Sequence, residues 1–406
     1  MAKPNKRPNR FLYHLTFWLI YPFFKIKNRV RINRKTVRKI KGPMIVIANH
    51  PSRPDFIYSI AAMYPLRLNV VVARYYTFIP KINALIKRFR VIPKNLYNPD
   101  SSTIKGIIGV IRQGGSVLLM PEGRLSSDGT KGIMPDGIHK LVKKMEVPLV
   151  LVKINGAFMT GGKWITSRRR GRIEVTASVL LSKEEVVALS AEEIRQIIDQ
   201  SLEYNDYLWL EKRPEIGYKG KSLASGLENI LYLCPNCQSE FTLKPHKHQF
   251  TCAHCGYSVT LNRRYRFESD KQPVIFTTIL DWFNYQKQVA LRDIEQGKML
   301  ETEVILKNPL SNGKKTELLE VGKGKCFLNS EGLRYRGTQN GQEVDIFFPI
   351  SIMPTLLFGC NEDFEIYHDN QFYYFLPIEN RLQTVKWSIY TEAAYLNYHE
   401  EKSKVS

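Results

Sequence analysis

Between residues 40 and 180 the chain alternates short, almost wholly apolar runs with stretches of helical period, and few folds accept that order. The runs at 44–48, 69–73, 116–120, 148–154 and 172–180 read as strands, and 54–63, 82–89, 103–113 and 137–145 as helices. A strand that is apolar along its whole length has both faces buried, which calls for helices on each side of the sheet. The expectation is an α/β domain on a mixed, mostly parallel sheet. Two runs end in polar loops: 44–48 leads into Asn49-His50-Pro51-Ser52-Arg53-Pro54-Asp55, and 116–120 leads into Pro121-Glu122-Gly123-Arg124. Polar loops leaving buried strands in this way form one candidate site edge.

Composition narrows the partners. With 60 basic against 38 acidic side chains, net +22, the chain suits an anionic partner: membrane phosphates, nucleic acid or a phosphorylated substrate. At 406 residues and 43% hydrophobic content it is long enough for two or three cores and is not a disordered chain. There is no run of about twenty uninterrupted apolar residues of the kind an ordinary transmembrane helix needs. The aromatic stretch 11–24 is flanked by Lys3, Lys6, Arg7 and Arg10 before it and by Lys25, Lys27, Arg29, Arg31, Arg34 and Lys35 after it. That pattern reads as a helix lying in the membrane interface, with a helix packed on the protein's own core as the alternative.

Further on, 190–211 reads as one long helix, with Ser190 as cap and Glu193 three residues later, and the Gly, Lys and Ser stretch 217–226 reads as a linker. Cys234, Cys237, Cys252 and Cys255 form two CxxC pairs fourteen residues apart. Two such knuckles joined by a hairpin are the zinc-ribbon pattern, and four thiolates would close the shell of a structural zinc, leaving no position for substrate. His246, His248 and His254 are expected to face solvent. Paired thiols beside the isolated Cys326 and Cys360 suit a reducing compartment, so the expected location is the cytoplasmic face of a membrane. A helix is expected over 276–296. From 299 to 377 short alternating runs break at Asn312-Gly313, Glu331-Gly332 and Asn340-Gly341, which are hairpin signals, and a last helix follows near 383–399. The domain reading is therefore 1–38 interface segment, 39–216 α/β domain, 217–229 linker, 230–262 zinc ribbon, and 263–406 an α+β tail with a β meander and terminal helix. By pattern this tail resembles pleckstrin-homology or GRAM-like domains, which implies an anionic lipid or a protein as its ligand.

The pair NHPSRPD and PEGR resembles the motifs of the glycerolipid acyltransferase superfamily, whose best known members are the 1-acylglycerol-3-phosphate acyltransferases; the similarity covers about residues 40–210. The resemblance implies His50 as general base and Asp55 as the group that orients it. It implies that Glu122, Gly123 and, by position, Arg124 bind a phosphate-bearing acceptor. Where the family's second block ends in a phosphate-contacting arginine, Arg90-Val91-Ile92-Pro93-Lys94 places Lys94, with Arg88 and Arg90 as neighbouring cations, and Val147-Pro148-Leu149-Val150 matches a block that shapes the pocket. The implied donor is acyl-CoA or acyl-ACP, and the implied acceptor a lysophospholipid, foremost 1-acylglycerol-3-phosphate giving phosphatidic acid. Family members commonly carry threonine and then arginine after PEG, whereas here Arg124 follows directly. This departure and Lys94 bear on the acceptor, so another lysophospholipid or a glycolipid stays open.

The residues suit that chemistry on their own terms. An alcohol is too weak an acid to attack a thioester unaided at neutral pH, while an imidazole near pKa 6.5 can take its proton during attack. A carboxylate on one ring nitrogen fixes the tautomer that leaves the other free to accept. A guanidinium such as Arg124 matches a phosphate oxygen pair, and Gly123 lets the backbone approach closely. The basic run Arg168, Arg169, Arg170 and Arg172 is a further candidate for membrane or coenzyme A phosphates, or a solvated loop. Two other classes compete. A basic zinc-ribbon protein could bind nucleic acid, but 234–255 holds only Lys244 and Lys247 as basic side chains, so nucleic acid is the weaker partner. A scaffold without activity is opposed by the intact His50, Asp55 and Glu122.

Overall fold

The protein was analysed as a computed structural model that describes residues 7–312, 315–369 and 371–405. The chain divides into two compact units, one of residues 1–163 with 168–219, the other of 164–167 with 220–406.

The first unit is built on seven strands: β1 (Val30–Asn33), β2 (Ile45–Ala48), β3 (Leu68–Ala73), β4 (Ile92–Lys94), β5 (Ser116–Leu119), β6 (Leu149–Asn155) and β7 (Ile173–Leu181). Their order in the sheet is β1-β7-β6-β2-β5-β3-β4. Strands β2 to β6 run parallel to one another, β7 is antiparallel to β6, and β1 is parallel to β7. The sheet is thus mixed and mostly parallel, as the apolar runs imply.

Alternate residues of a strand feed opposite faces, and both faces are buried here. Val46 and Ala48 join Val150, Val152 and Tyr58 in one core. Ile45 and Ile47 join Val117, Leu149, Leu151 and Ile107 in the other. Helices α1 (Arg10–Lys27), α2 (Asp55–Met63), α3 (Pro80–Arg88), α4 (Ser101–Arg112), α5 (Ile138–Met145), α6 (Phe158–Gly161), α7 (Lys183–Ala188), α8 (Ala191–Ser201) and α9 (Asp206–Glu211) complete the unit.

The single helix expected over 190–211 is two. Ser190 and Glu193 do form a capping box on α8, but α8 ends at Ser201, and the Asn205 side chain accepts the N–H groups of Tyr207 and Leu208 to cap α9. The stretch read as a linker is not solvated throughout: Tyr218 is fully buried in the first unit, and Leu223 and Ala224 are buried in the second. Helix α1 docks by one side only. Tyr13 and Phe17 are buried, and Phe17 stacks on Tyr64 at 4.0 Å, while Phe11, Trp18, Leu19, Phe23 and Ile26 are each more than half exposed. Among the described residues no helix is long and apolar enough to cross a membrane. Lys3 and Lys6 of the flanking charge lie outside the described residues.

The second unit holds a four-stranded antiparallel sheet, β8 (Leu243–His246), β9 (Gln249–Cys252), β10 (Ser258–Leu261) and β11 (Phe267–Glu268), followed by α10 (Ile279–Glu295). A seven-stranded antiparallel sheet comes next: β12 (Leu300–Asn312), β13 (Lys315–Leu328), β14 (Gly332–Gln339), β15 (Gln342–Pro349), β16 (Leu357–Phe358), β17 (Phe364–His368) and β18 (Gln371–Pro377). Its order is β15-β14-β13-β12-β18-β17-β16, and α11 (Thr384–Val405) packs Trp387 on Phe364 at 5.0 Å.

The first two strands are far longer than the short runs expected. Gly324 of β13 pairs with Gly337 of β14, and a Cβ at either would stand within about 2.5 Å of the neighbouring strand, so glycine there serves close approach. The turn signalled by Asn312-Gly313 falls partly outside the described residues, but Asn312 and Lys315 pair across it.

Candidate active site and cysteine cluster

His50 stands two residues past β2, and Glu122 three residues past the neighbouring β5, so both leave the carboxyl edge of parallel strands. Asn49 pins the first loop by exchanging two hydrogen bonds with Ile154: its amide donates to Ile154 O at 2.8 Å, and its Oδ1 accepts Ile154 N–H at 2.8 Å. Beyond it, His50 Nδ1 meets Asp55 Oδ2 at 3.1 Å. The Asp55 carboxylate also accepts the Ser52 N–H at 2.7 Å and the Ser52 hydroxyl. Burial pushes the Asp55 carboxyl up, and the hydrogen bonds from His50 and Ser52 pull against that. The His50 side chain keeps 20% of its surface exposed while Asp55 has none. This leaves Nε2 as the ring nitrogen not engaged by Asp55.

The second loop is bonded to the first. Glu122 Oε1 accepts the His50 N–H at 3.0 Å, Oε2 accepts the Gly132 N–H at 2.9 Å, and Ser126 N–H donates to His50 O at 3.0 Å. Glu122 is fully buried, and burial pushes its carboxyl up to about 7 against those amide bonds and the nearby Arg124 charge. Glu122 is thus a buried carboxylate with a backbone amide on each oxygen, one of them from the histidine loop. Gly123 has φ +68°, a conformation that favours glycine, which turns the chain sharply after Glu122. Arg124 lies against Gly132, where an added Cβ would stand 3.2 Å from its Nε and 3.3 Å from its Nη2.

The structure does not join Lys94 to His50 or Glu122. It ends β4 at the sheet's edge, half-buried, donating to Asn95 O at 3.3 Å, and burial lowers its pKa. Tyr97 reaches the second loop instead, donating to Glu122 O at 2.6 Å. Arg74, one residue past β3, is a cation of this edge that the sequence reading missed; it bonds Asn95 Oδ1 at 2.6 Å and Asp100 Oδ2 at 3.0 Å. Its only sequence signal was its place after an apolar run. Arg88 and Arg90 are exposed. The basic run is uneven: Arg169 is buried, Arg172 pairs with Glu215 at 2.9 Å, and Arg168 and Arg170 are exposed.

Residues 28–155, which span both loops, match the family model described as Acyltransferase. This stretch belongs to the glycerolipid acyltransferase superfamily. The acyltransferase domain is 24% identical over 188 residues to the chloroplastic 1-acyl-sn-glycerol-3-phosphate acyltransferase of Brassica napus, covering 45% of this chain and 52% of that protein. Against the chloroplastic enzyme of the same description from Arabidopsis thaliana it is 25% identical over 177 residues, covering 42% and 48%. The chain thus spans about half the length of the curated relatives it matches. A crystal structure of the 1-acyl-sn-glycerophosphate acyltransferase of Thermotoga maritima aligns with 18% identity and a TM-score of 0.39, over 46% of this chain and 74% of that one.

Outside the acyltransferase domain, the Sγ atoms of Cys234, Cys237, Cys252 and Cys255 lie within 4.8 Å of one another. Cys234 and Cys255 are 3.7 Å apart, and Cys237 and Cys252 are 3.8 Å apart. These distances exceed a disulfide bond. Thiolates about 2.3 Å from a central zinc would have Sγ–Sγ edges of about 3.8 Å, so the donor set fits that ion. Ser239 and Thr242 hydroxyls face the sulfurs, at 3.0 Å from Cys237 and 3.2 Å from Cys252. His246 and His254 are exposed, and His248 is partly exposed, with Nδ1 accepting the Leu223 N–H at 3.3 Å. The first knuckle is also held from α10: Gln286 Oε1 accepts the Tyr232 and Leu233 N–H groups at 2.7 and 3.0 Å, and Trp282 donates to Leu233 O at 2.8 Å.

Proposed function

We propose that the protein moves a fatty acyl group from a thioester, acyl-CoA or acyl-ACP, to the hydroxyl of a lysophospholipid, foremost 1-acylglycerol-3-phosphate, giving phosphatidic acid. The observation that carries this reading is His50, held by a buried Asp55 at 3.1 Å, with its ring partly exposed beside the PEGR turn. With Nδ1–H donated to Asp55, Nε2 takes the proton of the acceptor hydroxyl as its oxygen attacks the thioester carbonyl. The C–S bond then breaks, the ester forms, and the thiol leaves with the proton returned from His50. Arg124 supplies the charge for the acceptor phosphate, with Lys94 and Arg74 as the further cations of the same edge. The direct Gly123-Arg124 sequence and the lysine at 94 favour, as a second reading, another lysophospholipid or a glycolipid as acceptor.

Membrane contact supports a lipid substrate. The exposed face of α1 is aromatic and aliphatic, and Lys25 and Lys27 close its last turn, which suits a helix lying among anionic headgroups on the cytoplasmic face. The four cysteines would hold a structural zinc that supplies cross-linking rather than chemistry. The seven-stranded sheet with its terminal helix is read as a pleckstrin-homology or GRAM-like module, making the order of parts interface helix, acyltransferase domain, zinc ribbon and tail. Purified protein incubated with labelled acyl-CoA or acyl-ACP and a panel of lysolipids should yield a labelled diacyl product. No transfer to any lysolipid, together with salt-resistant binding of nucleic acid, would overturn the reading.

A further inference from the structure

Asp206 has no part in the chemistry above, yet it is fully buried. Its Oδ1 accepts the Gly156 N–H at 2.8 Å and its Oδ2 the Phe158 N–H at 3.1 Å, while its own N–H donates to Gly129 O at 3.0 Å. Burying a carboxylate on backbone amides costs free energy that an apolar side chain would not, so its placement asks for a local reason. The turn it binds starts at Gly156, where φ is +77° and an added Cβ would stand 2.5 Å from Tyr218 Oη and 2.7 Å from Arg172 O. Two residues on, this turn becomes α6, whose last residue, Gly161, reaches the histidine loop. Gly161 O accepts the Arg53 N–H at 3.0 Å, and Arg53 Nη2 donates to Lys163 O at 2.6 Å. A Cβ on Gly161 would stand 3.0 Å from Ser52 Cβ and 3.2 Å from Pro54 Cδ, so the two segments are already in contact.

We infer that Asp206 is a positioning residue for the His50 loop: it fixes the 156–161 turn, and that turn holds Ser52, Arg53 and Pro54, between the histidine and the aspartate. Glu122 fixes the start of the same loop through the His50 N–H, so the loop is tied at two places by buried carboxylates that accept backbone amides. An amide in place of Asp206 keeps one acceptor oxygen and sets an NH2 donor against one of the two N–H groups, which now bond separate oxygens.

For kinetics the inference rests on the proposed acyl transfer, so the test carries a readout that does not. The full chain as Asp206→Asn is compared with the unsubstituted protein by amide hydrogen exchange and by steady-state acyl transfer. A second variant, Gly161→Ala, presses on Ser52 and Pro54 from the other end of the same path. Val186→Ala, a core truncation in α7, controls for general loss of stability. For Asp206→Asn and Gly161→Ala, exchange over residues 50–55 should rise about tenfold or more over its rise in Val186→Ala. Their kcat should fall about tenfold with KM for either substrate changed less than about twofold. Exchange unchanged over 50–55, or raised equally throughout the unit, overturns the inference. An unsubstituted protein without acyl transfer overturns the proposed function instead, and the exchange comparison still decides the role of Asp206.

Discussion

The carboxylate of Glu122 accepts the backbone N–H of His50 at 3.0 Å, so the residue after β5 sets the position of the histidine after β2. Two motifs 72 residues apart are one hydrogen-bonded unit. A shift of the PEGR turn would therefore move the histidine loop with it.

Glu122 also makes stability depend on pH in a known direction. Its folded pKa is raised to about 7, against about 4.3 for an unfolded glutamate, so between those values the folded chain holds the extra proton. Its contribution is then full below about pH 4 and is lost as pH rises to about 7. Urea unfolding of the first unit at pH 5 and 7.5 should show the unsubstituted protein losing ground relative to Glu122→Gln, by at most about 1.4 kcal/mol per pH unit. A difference independent of pH would contradict the burial argument.

Gly132 is placed where a methyl group would press on Arg124 and come into contact with Glu122. Gly132→Ala should raise KM for the acceptor severalfold and lower kcat, with a stability loss of about 1–2 kcal/mol. Kinetics with saturating donor and varied lysolipid measure both effects.

On α1 the two faces should separate cleanly. Leu19→Glu, on the exposed face, should weaken sedimentation with anionic vesicles about tenfold without moving the thermal midpoint. Phe17→Ala, which empties the contact with Tyr64, should destabilise the first unit by about 3 kcal/mol.

For the cysteine cluster, elemental analysis should find one zinc per chain. Cys252→Ser should lose the metal and lower the unfolding temperature of the second unit, since Gln286 and Trp282 tie the first knuckle to α10. Thiol titration of the native protein would show the same four sulfurs protected.

Much of the first unit was legible because Ile45–Ala48 and Leu149–Asn155 are apolar on both faces, a signature local in sequence. The CxxC spacing was legible for the same reason. The break at 202–205 was not, since apolar residues keep helical spacing across it and only Asn205 marks the new cap. Gly217 to Gly226 looked like a linker because Gly, Lys and Ser dominate, while the burial of Tyr218 and Leu223 is decided by tertiary packing. His50 and Asp55 could be read because they lie within one turn of each other. The bond from Glu122 to the His50 N–H was not foreseen, and Asp206 was missed, because these contacts join residues about fifty or more positions apart, which no motif records.

The proposed transfer requires His50 to take the proton from a lysolipid hydroxyl. Single-turnover transfer from labelled acyl-CoA to 1-acylglycerol-3-phosphate should fall at least about a thousandfold in His50→Ala with the fold intact by circular dichroism, and nearly as far in Asp55→Ala. Transfer retained within about tenfold by folded His50→Ala would contradict His50 as the base.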